Sequence, residues 1–246
     1  MMKIAVAGAT GAIGKVIVEK AREAGHDVVE MSRAQGVELL EGTGIEEALA
    51  GVDAVIDASQ VGNPMAEDPI TPILRGTKNL LDAAQAQNVH RVVMLSINGV
   101  EKPQLQEFPF YEARFEQEEL VLKANHNNVV VRSVQWFEFA LNPAGCEESA
   151  SEVKVQNWDI QPAAMDSVAQ FMVEAAEGKH GEGLLTVAGG DRLSLPELTQ
   201  RVMDSRGDTR TVVTVDPVLP ALGDGSLHAP GNAHILKPTL QQWLNS

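Results

Sequence analysis

Lys3-Ile4-Ala5-Val6-Ala7-Gly8-Ala9-Thr10-Gly11-Ala12-Ile13-Gly14 is the stretch from which the rest of the chain can be read. Ile4 to Ala7 is a short apolar run, the signature of a buried strand. Gly8, Gly11 and Gly14 follow at three-residue spacing. Ile13, Val16, Ile17, Lys20 and Ala21 then recur at helical intervals. In a strand–turn–helix unit each glycine has a physical task. Gly8 turns the chain sharply out of the strand. Gly11 removes a Cβ where a pyrophosphate would approach the backbone, and Gly14 lets the helix pack against the strand. The free N–H groups of the helix start, with the positive end of its dipole, then face an anion. Gly8, Ala9, Thr10, Gly11, Ala12, Ile13 and Gly14 together form the candidate phosphate cradle.

The spacing is Gly-x-x-Gly-x-x-Gly rather than Gly-x-Gly-x-x-Gly. In this it resembles the extended and atypical short-chain dehydrogenase/reductases, in particular the NmrA-like branch. The resemblance runs from Met1 to about the chain end and is strongest over residues 3–140. It implies one NAD(P)-binding, Rossmann-like domain over 1–246: a doubly wound parallel α/β sheet. A small C-terminal substrate-side subdomain would be formed by about 133–165 and 189–246.

Composition narrows the functional classes. The chain has 246 residues, 44% of them hydrophobic, enough for one α/β domain with a sizeable core. Its formal net charge is −15, which argues against a nucleic-acid partner. The single cysteine, Cys146, allows no internal disulfide and fits a reducing, cytoplasmic setting. The chain opens directly into a strand, without a leader pattern, and no apolar run is long enough to span a membrane. Its six histidines show no metal-ligand spacing, and no Gly-x-Ser-x-Gly elbow is present.

Downstream, strands and helices alternate, the pattern of a parallel sheet with helices on both faces. A helix is expected from about Ala12 to Ala24 and a strand over Asp27–Met31, ending in Ser32-Arg33. The end of the second strand meets the adenosine ribose in dinucleotide folds. Glu30 stands two residues early for an NAD-type acid, whereas Ser32 and Arg33 offer a hydroxyl and a guanidinium fork to a 2′-phosphate. The cofactor read here is NADP (NADPH), ahead of NAD. Val37–Leu40 reads as a third strand, Ile45–Leu49 as a short helix and Ala54–Asp57 as a further strand. After that strand, the resemblance gives Ala58 and Ser59 to the nicotinamide side of the cofactor. A helix over about Ile73–Gln87 and a strand over His90–Leu95, followed by Ser96, come next.

Enzymes of the family use a Ser after this strand and Tyr-x-x-x-Lys on the next helix. The Tyr hydroxyl serves as acid or base, the Lys lowers its pKa and holds ribose, and the Ser binds the substrate oxygen. Ser96 matches the serine by position. In Phe110-Tyr111-Glu112-Ala113-Arg114-Phe115-Glu116-Gln117-Glu118-Glu119-Leu120 the Gln-Glu-Glu-Leu register sets Phe110 at the tyrosine and Arg114 at the lysine. Phenylalanine carries no ionisable proton. Tyr111, the only tyrosine, is adjacent to the vacated position but about 100° around the helix. Ser96, Tyr111 and Arg114 are therefore the catalytic candidates, and Ser96 and Arg114 are cofactor candidates too. Two readings stay open: an NADP-dependent oxidoreductase of a small carbonyl or alcohol substrate, or a non-catalytic redox-state sensor acting on a protein partner.

Val129–Val131 reads as a strand, and the resemblance makes Ser133, Val134 and Gln135 beyond it candidates for cofactor or substrate contact. Trp136, Phe137 and Phe139 cluster in an aromatic-poor chain and suit either a pocket or the core. Asp166 is expected to cap a helix, Ser194 with Glu197 to form a capping box, and 216–230, rich in Pro and Gly, to be a mobile cover.

Overall fold

The computed structural model describes residues 1–245. β1 (Lys3–Ala7) runs into α1 (Ala12–Glu23), and β2 (Asp27–Met31) returns beside it. α2 (Ile45–Ala48), β3 (Ala54–Asp57), α3 (Ile70–Ala86) and β4 (Arg91–Ile97) follow. Next come α4 (Pro103–Gln106), α5 (Pro109–Ala124) and β5 (Val129–Ser133). β6 (Cys146–Glu148), β7 (Glu152–Gln156) and β8 (Asp159–Ile160) precede α6 (Met165–Ala176) and β9 (Gly183–Ala188). β10 (Leu193–Ser194), α7 (Leu195–Ser205), β11 (Thr211–Val215), β12 (His234–Ile235) and α8 (Leu240–Leu244) complete the order.

Seven strands form one parallel sheet in the order β12-β9-β5-β4-β3-β1-β2. The period-2 alternation of β1 shows why. Ile4 and Val6 face one layer with Ile17 of α1 and Val173 of α6, while Ala5 and Ala7 face the other with Leu80 and Ala84 of α3. Both faces are covered, so the central strands read as unbroken apolar runs. β2 lies on one side of β1 and β3 on the other. That reversal opens a crevice beyond the carboxyl ends of the strands, where open α/β sheets bind ligands. The expected doubly wound parallel sheet is the fold observed. Among the described residues, no helix is long and apolar enough to cross a membrane.

A second apolar cluster lies apart from the sheet. β6, β7 and β11 make a three-stranded sheet, against which Leu198 and Val202 of α7 pack with Val153, Val155, Phe137 and Leu240. Cys146 is buried here, and burial pushes its thiol up to about 11, which suits an inert packing role.

Four local expectations are corrected. Val37–Leu40 is not a strand: only an isolated bridge, Glu38 to Thr43, forms. Val37 and Leu39 are buried, so their alternation reported burial rather than pairing, and β2 is left as the sheet edge. Asp166 does not cap α6. Ala164 holds that position, and Asp166 sits in the first turn, paired with Lys20 at 2.8 Å. Glu197 gives only half of a capping box. Its N–H donates to Ser194 Oγ at 3.2 Å, but its carboxylate pairs with Arg201. The fourth correction concerns 216–230, which is a packed strap. Asn98 Nδ2 donates to Leu227 O at 2.8 Å, Lys102 Nζ to Ser226 O at 2.5 Å, and Ala229 N to Gln161 Oε1 at 3.2 Å. Leu227, within the strap, is fully buried. The reciprocal capping box that does form, Thr239 with Gln242, begins α8.

The Ser194 cap gives a direct test. Ser194→Ala should lower stability by about 1 kcal/mol. For a chain of this size that is a fall of about 2–4 °C in Tm, readable by thermal unfolding.

Candidate functional site

The turn after β1 is held by backbone. Gly8 has φ +77°, and a Cβ there would come 2.7 Å from Ala58 O and 2.8 Å from Ser59 Cα. A Cβ on Gly14 would overlap the Gly8 carbonyl oxygen. Both glycines are therefore required by close approach. Gly11 differs: a Cβ there would meet only Gly8 O, at 3.2 Å, and the remaining space is open. Gly8 N and Ala9 N donate to Met31 O at 3.1 and 3.4 Å, which stitches the turn to the end of β2. The first turn of α1 has no acidic residue, and Gly11 at its N-cap supplies no side-chain cap. Helical bonding begins with Lys15 N to Gly11 O at 3.1 Å. The N–H groups of Ala12, Ile13 and Gly14 thus point outward in a field that favours an anion.

At the end of β2, Ser32 follows Met31 and Arg33 opens a short 3-10 turn over Arg33–Gln35. Arg33 is exposed and makes no ion pair among the described residues, and Ser32 Oγ is buried without a hydrogen-bond partner. Glu30, near the end of the same strand, pairs with Arg22 at 2.7 Å. The one acid of β2 near this end is thus already paired.

At the end of β3, Asp57 is only 4% exposed. Ser59 N donates to its Oδ1 at 3.0 Å. Burial raises the Asp57 pKa, and Ser59 and the Arg114 cation oppose that rise. Arg114, on α5, is 7% exposed and donates from Nη2 to Leu95 O of β4. Burial lowers its pKa, opposed by Asp57 and Glu118. Its Nε has no partner.

The other catalytic candidates are engaged elsewhere. Ser96 Oγ donates to Glu118 Oε1 at 2.5 Å. Glu118 also takes Arg132 Nε at 3.0 Å and Nη2 at 2.7 Å, and Arg132 Nη1 reaches Glu101 at 2.8 Å. Ser96 and Glu118 are each 2% exposed, so the serine hydroxyl belongs to a buried ion network. Tyr111 packs in the second apolar cluster, edge-on to Phe108 and Phe110. Burial pushes its phenol up to about 12, a poor match to proton transfer near neutral pH. Ser133 Oγ donates to Val134 O at 2.9 Å and accepts from Trp136 Nε1 at 3.0 Å. Gln135 Oε1 is buried and unpartnered.

The structure thus brings Gly8–Gly14, Ser32, Arg33, Ala58, Ser59, Arg114, Ser133 and Gln135 to the carboxyl-end edge of one sheet. It ties the Ser96 hydroxyl to the α5 side and packs Tyr111 among aromatic rings. From β2 to β5 this edge crosses four strand spacings, about 19 Å. Four buried polar atoms along it lack partners: Ser32 Oγ, Ser59 Oγ, Arg114 Nε and Gln135 Oε1. Unpaired buried polar groups are costly, and a polar ligand stretched along the edge would satisfy them.

The sequence profile of the NAD(P)H-binding family matches residues 8–179 of this chain. The chain belongs to that family. It is 28% identical over 214 residues to the (4-alkanoyl-5-oxo-2,5-dihydrofuran-3-yl)methyl phosphate reductase of Streptomyces griseus, covering 81% of this chain and 72% of that protein. It is 27% identical over 152 residues to a photosystem II assembly factor of Cyanophora paradoxa, covering 56% of this chain and 46% of that protein. Among solved structures, dTDP-4-dehydrorhamnose reductase from Bacillus anthracis in complex with NADP superposes with a TM-score of 0.75. Identity is 12%, over 99% of this chain and 97% of that one. That likeness carries the fold. A nicotinamide dinucleotide fits the residues present: a glycine cradle at one end and orphaned polar atoms along the groove.

Two features escaped the sequence reading. One is Asp57, whose signal was a lone carboxylate closing the apolar run Ala54–Ile56. The other is the Glu118–Arg132 pair, whose signal was an arginine ending the run Val129–Val131 opposite an acid on a packed helix face.

Proposed function

We propose that this protein binds NADP(H) and acts as an oxidoreductase on a small carbonyl or alcohol substrate. The observation that carries the cofactor reading is the pairing pattern at the end of β2. Arg33 is unpaired, Ser32 Oγ is unsatisfied, and Glu30 is held away by Arg22. An Arg fork with a neighbouring hydroxyl suits a phosphate dianion, whereas NAD calls for a free carboxylate. The Gly8–Gly14 turn and the α1 N-terminus hold the pyrophosphate, and Arg33 with Ser32 holds the 2′-phosphate. Gln135 and Arg114 serve the nicotinamide half. The bound cofactor supplies hydride. The chain orients the reactants at the edge of β4 and β5 and covers them with the 216–230 strap. With phenylalanine at the usual tyrosine position and Ser96 committed to Glu118, the proton comes from solvent.

Arg33→Ala should weaken NADPH at least tenfold and NADH less than twofold in calorimetric titration. Equal losses for both would overturn the NADP reading. Turnover of NADPH with a panel of small carbonyl compounds tests the chemistry.

A second reading is favoured by the burial of Tyr111 and the engagement of Ser96: a redox-state sensor that signals to a protein partner. The likeness to a photosystem II assembly factor supports it. Tight NADPH binding without turnover across the panel would select it.

A further inference from the structure

His228 stands in the 216–230 strap where it passes from one apolar core to the other. Leu227 before it is buried in the second cluster. Ala229 after it is buried in the sheet cluster with Val134, Ala163 and Ala188. Hydrogen bonds fix where this crossing lies. Asn98 follows β4, and its N–H donates to Ser133 O at the end of β5 at 2.8 Å. Its side chain donates to Leu227 O. On the other side of His228, Ala229 N donates to Gln161 Oε1. Gln161 Nε2 in turn donates at 2.9 Å to Gly189 O, just beyond β9. β5 lies between β4 and β9 in the sheet. The strap therefore bridges the ends of β4 and β9 and crosses the carboxyl end of β5, where Gln135 Oε1 is left without a partner.

His228 Nε2 donates to Asp159 Oδ1 of β8 at 2.7 Å. A carboxylate only accepts, so Nε2 carries the hydrogen and Nδ1 is the nitrogen left over. Nδ1 makes no hydrogen bond among the described residues. Gly225 leaves the space beside it open, since a Cβ there would stand 3.5 Å from Nδ1. The His228 side chain is 20% exposed, so it is held in place and still meets solvent. The strap does not depend on this pair, because Asn98, Lys102 and Gln161 already tie it down. Asp159 is 42% exposed, and an ion pair so exposed adds little to stability. An imidazole with one nitrogen fixed by a carboxylate and the other unengaged is the arrangement of an oriented acid–base group.

We propose that His228, held by Asp159, is the relay that carries the solvent proton to the substrate oxygen. The inference rests on the oxidoreductase reading and assigns the acid that Phe110 cannot supply. As hydride reaches the carbonyl carbon, the C=O π pair moves to oxygen. The new O–H bond is made with the proton on Nδ1, and Nδ1 is then reprotonated from water. In the direction of alcohol oxidation the same nitrogen accepts the proton. His228 is the catalytic residue of this step. Asp159 touches no reactant and is a positioning residue: it fixes the tautomer and the ring orientation.

Two measurements test it, one of turnover and one of occupancy. In the first, wild type, His228→Gln, His228→Ala and Asp159→Asn are assayed with NADPH and a panel of small carbonyl compounds. His228→Gln should lower kcat about a hundredfold, the usual share of a positioned acid, while NADPH affinity stays that of the wild type. Asp159→Asn should lower kcat by a smaller factor. Imidazole added to His228→Ala should restore part of the lost rate in proportion to its concentration, which a packing role for His228 would not allow. In the second, wild type with NADP+ is treated with diethyl pyrocarbonate, with and without the compound that is reduced fastest, and modified histidines are read by peptide mass. The compound should slow modification of His228 and leave that of exposed His126 unchanged. A His228→Gln protein that turns over at the wild-type rate, a loss that imidazole does not rescue, or a His228 modified equally fast with the compound present overturns the inference. Each of these leaves the oxidoreductase reading standing. NADPH binding without turnover by the wild type overturns both. Should the His228 variants fail to fold, protection of the wild-type His228 decides alone.

Discussion

Gly14→Ala should lose about 3 kcal/mol or more of unfolding free energy, with cofactor binding lost alongside. In an ordinary helix the same change stabilises by about 1 kcal/mol. Here the added methyl would overlap Gly8 O and crowd Gly8 C at 2.8 Å and Ala9 Cα at 3.1 Å. All three are backbone atoms and cannot rotate aside. α1 would have to lift from β1, withdrawing Ile13, Ile17 and Ala21 from the core. Gly11→Ala is the contrasting variant. Its methyl meets only Gly8 O, at 3.2 Å, and otherwise projects into open space. Stability should stay near wild type while NADPH affinity falls at least tenfold, because the methyl enters the space assigned to phosphate. Urea unfolding and NADPH titration of the two variants separate packing from binding. A Gly14→Ala protein as stable as wild type would refute the packing argument.

Glu118→Ala should cost about 3–5 kcal/mol, the usual penalty for stripping one partner from a buried ion pair. Glu118 is 2% exposed and holds both Arg132 and Ser96. Without it Arg132 keeps only Glu101, on a partly exposed side chain. The double variant Glu118→Met/Arg132→Met should recover most of the loss, since matched apolar side chains avoid the desolvation that the pair must offset. Urea unfolding of the single and double variants measures this. A Glu118→Ala cost below about 1 kcal/mol would show that Arg132 finds compensation elsewhere.

The parallel sheet was legible because its strands are buried on both faces. Ile4–Ala7, Ala54–Ile56 and Val129–Val131 are unbroken apolar runs, and no other environment explains them so simply. The glycine turn was legible because close approach admits only glycine at Gly8 and Gly14. Val37–Leu40 misled because core burial and strand pairing give the same alternation when a segment packs under a helix. The 216–230 segment misled because its composition shows Pro and Gly, but not the hydrogen bonds that tie it to Asn98, Lys102 and Gln161, far away in sequence. At the site, residue types were readable and their engagements were not. Nothing in the sequence around Ser96 announces that its hydroxyl is taken by Glu118, 22 positions away.

The second apolar cluster also bears on how a ribosome delivers this protein. It gathers Val100, Leu105 and Tyr111 with Val153, Leu198 and Leu240. The Gly8–Gly14 cradle, by contrast, is stitched to β2 and the segment after β3, and its apolar residues Ala9 and Ile13 share a layer with α6, all of it emerging well before α8. A nascent chain can therefore assemble its phosphate cradle long before Leu240 emerges to complete the second cluster. For most of synthesis Tyr111, Phe108 and Leu105 lack their later partners. This interval, in which a formed nucleotide cradle coexists with an open apolar flank, is when the chain depends most on chaperones.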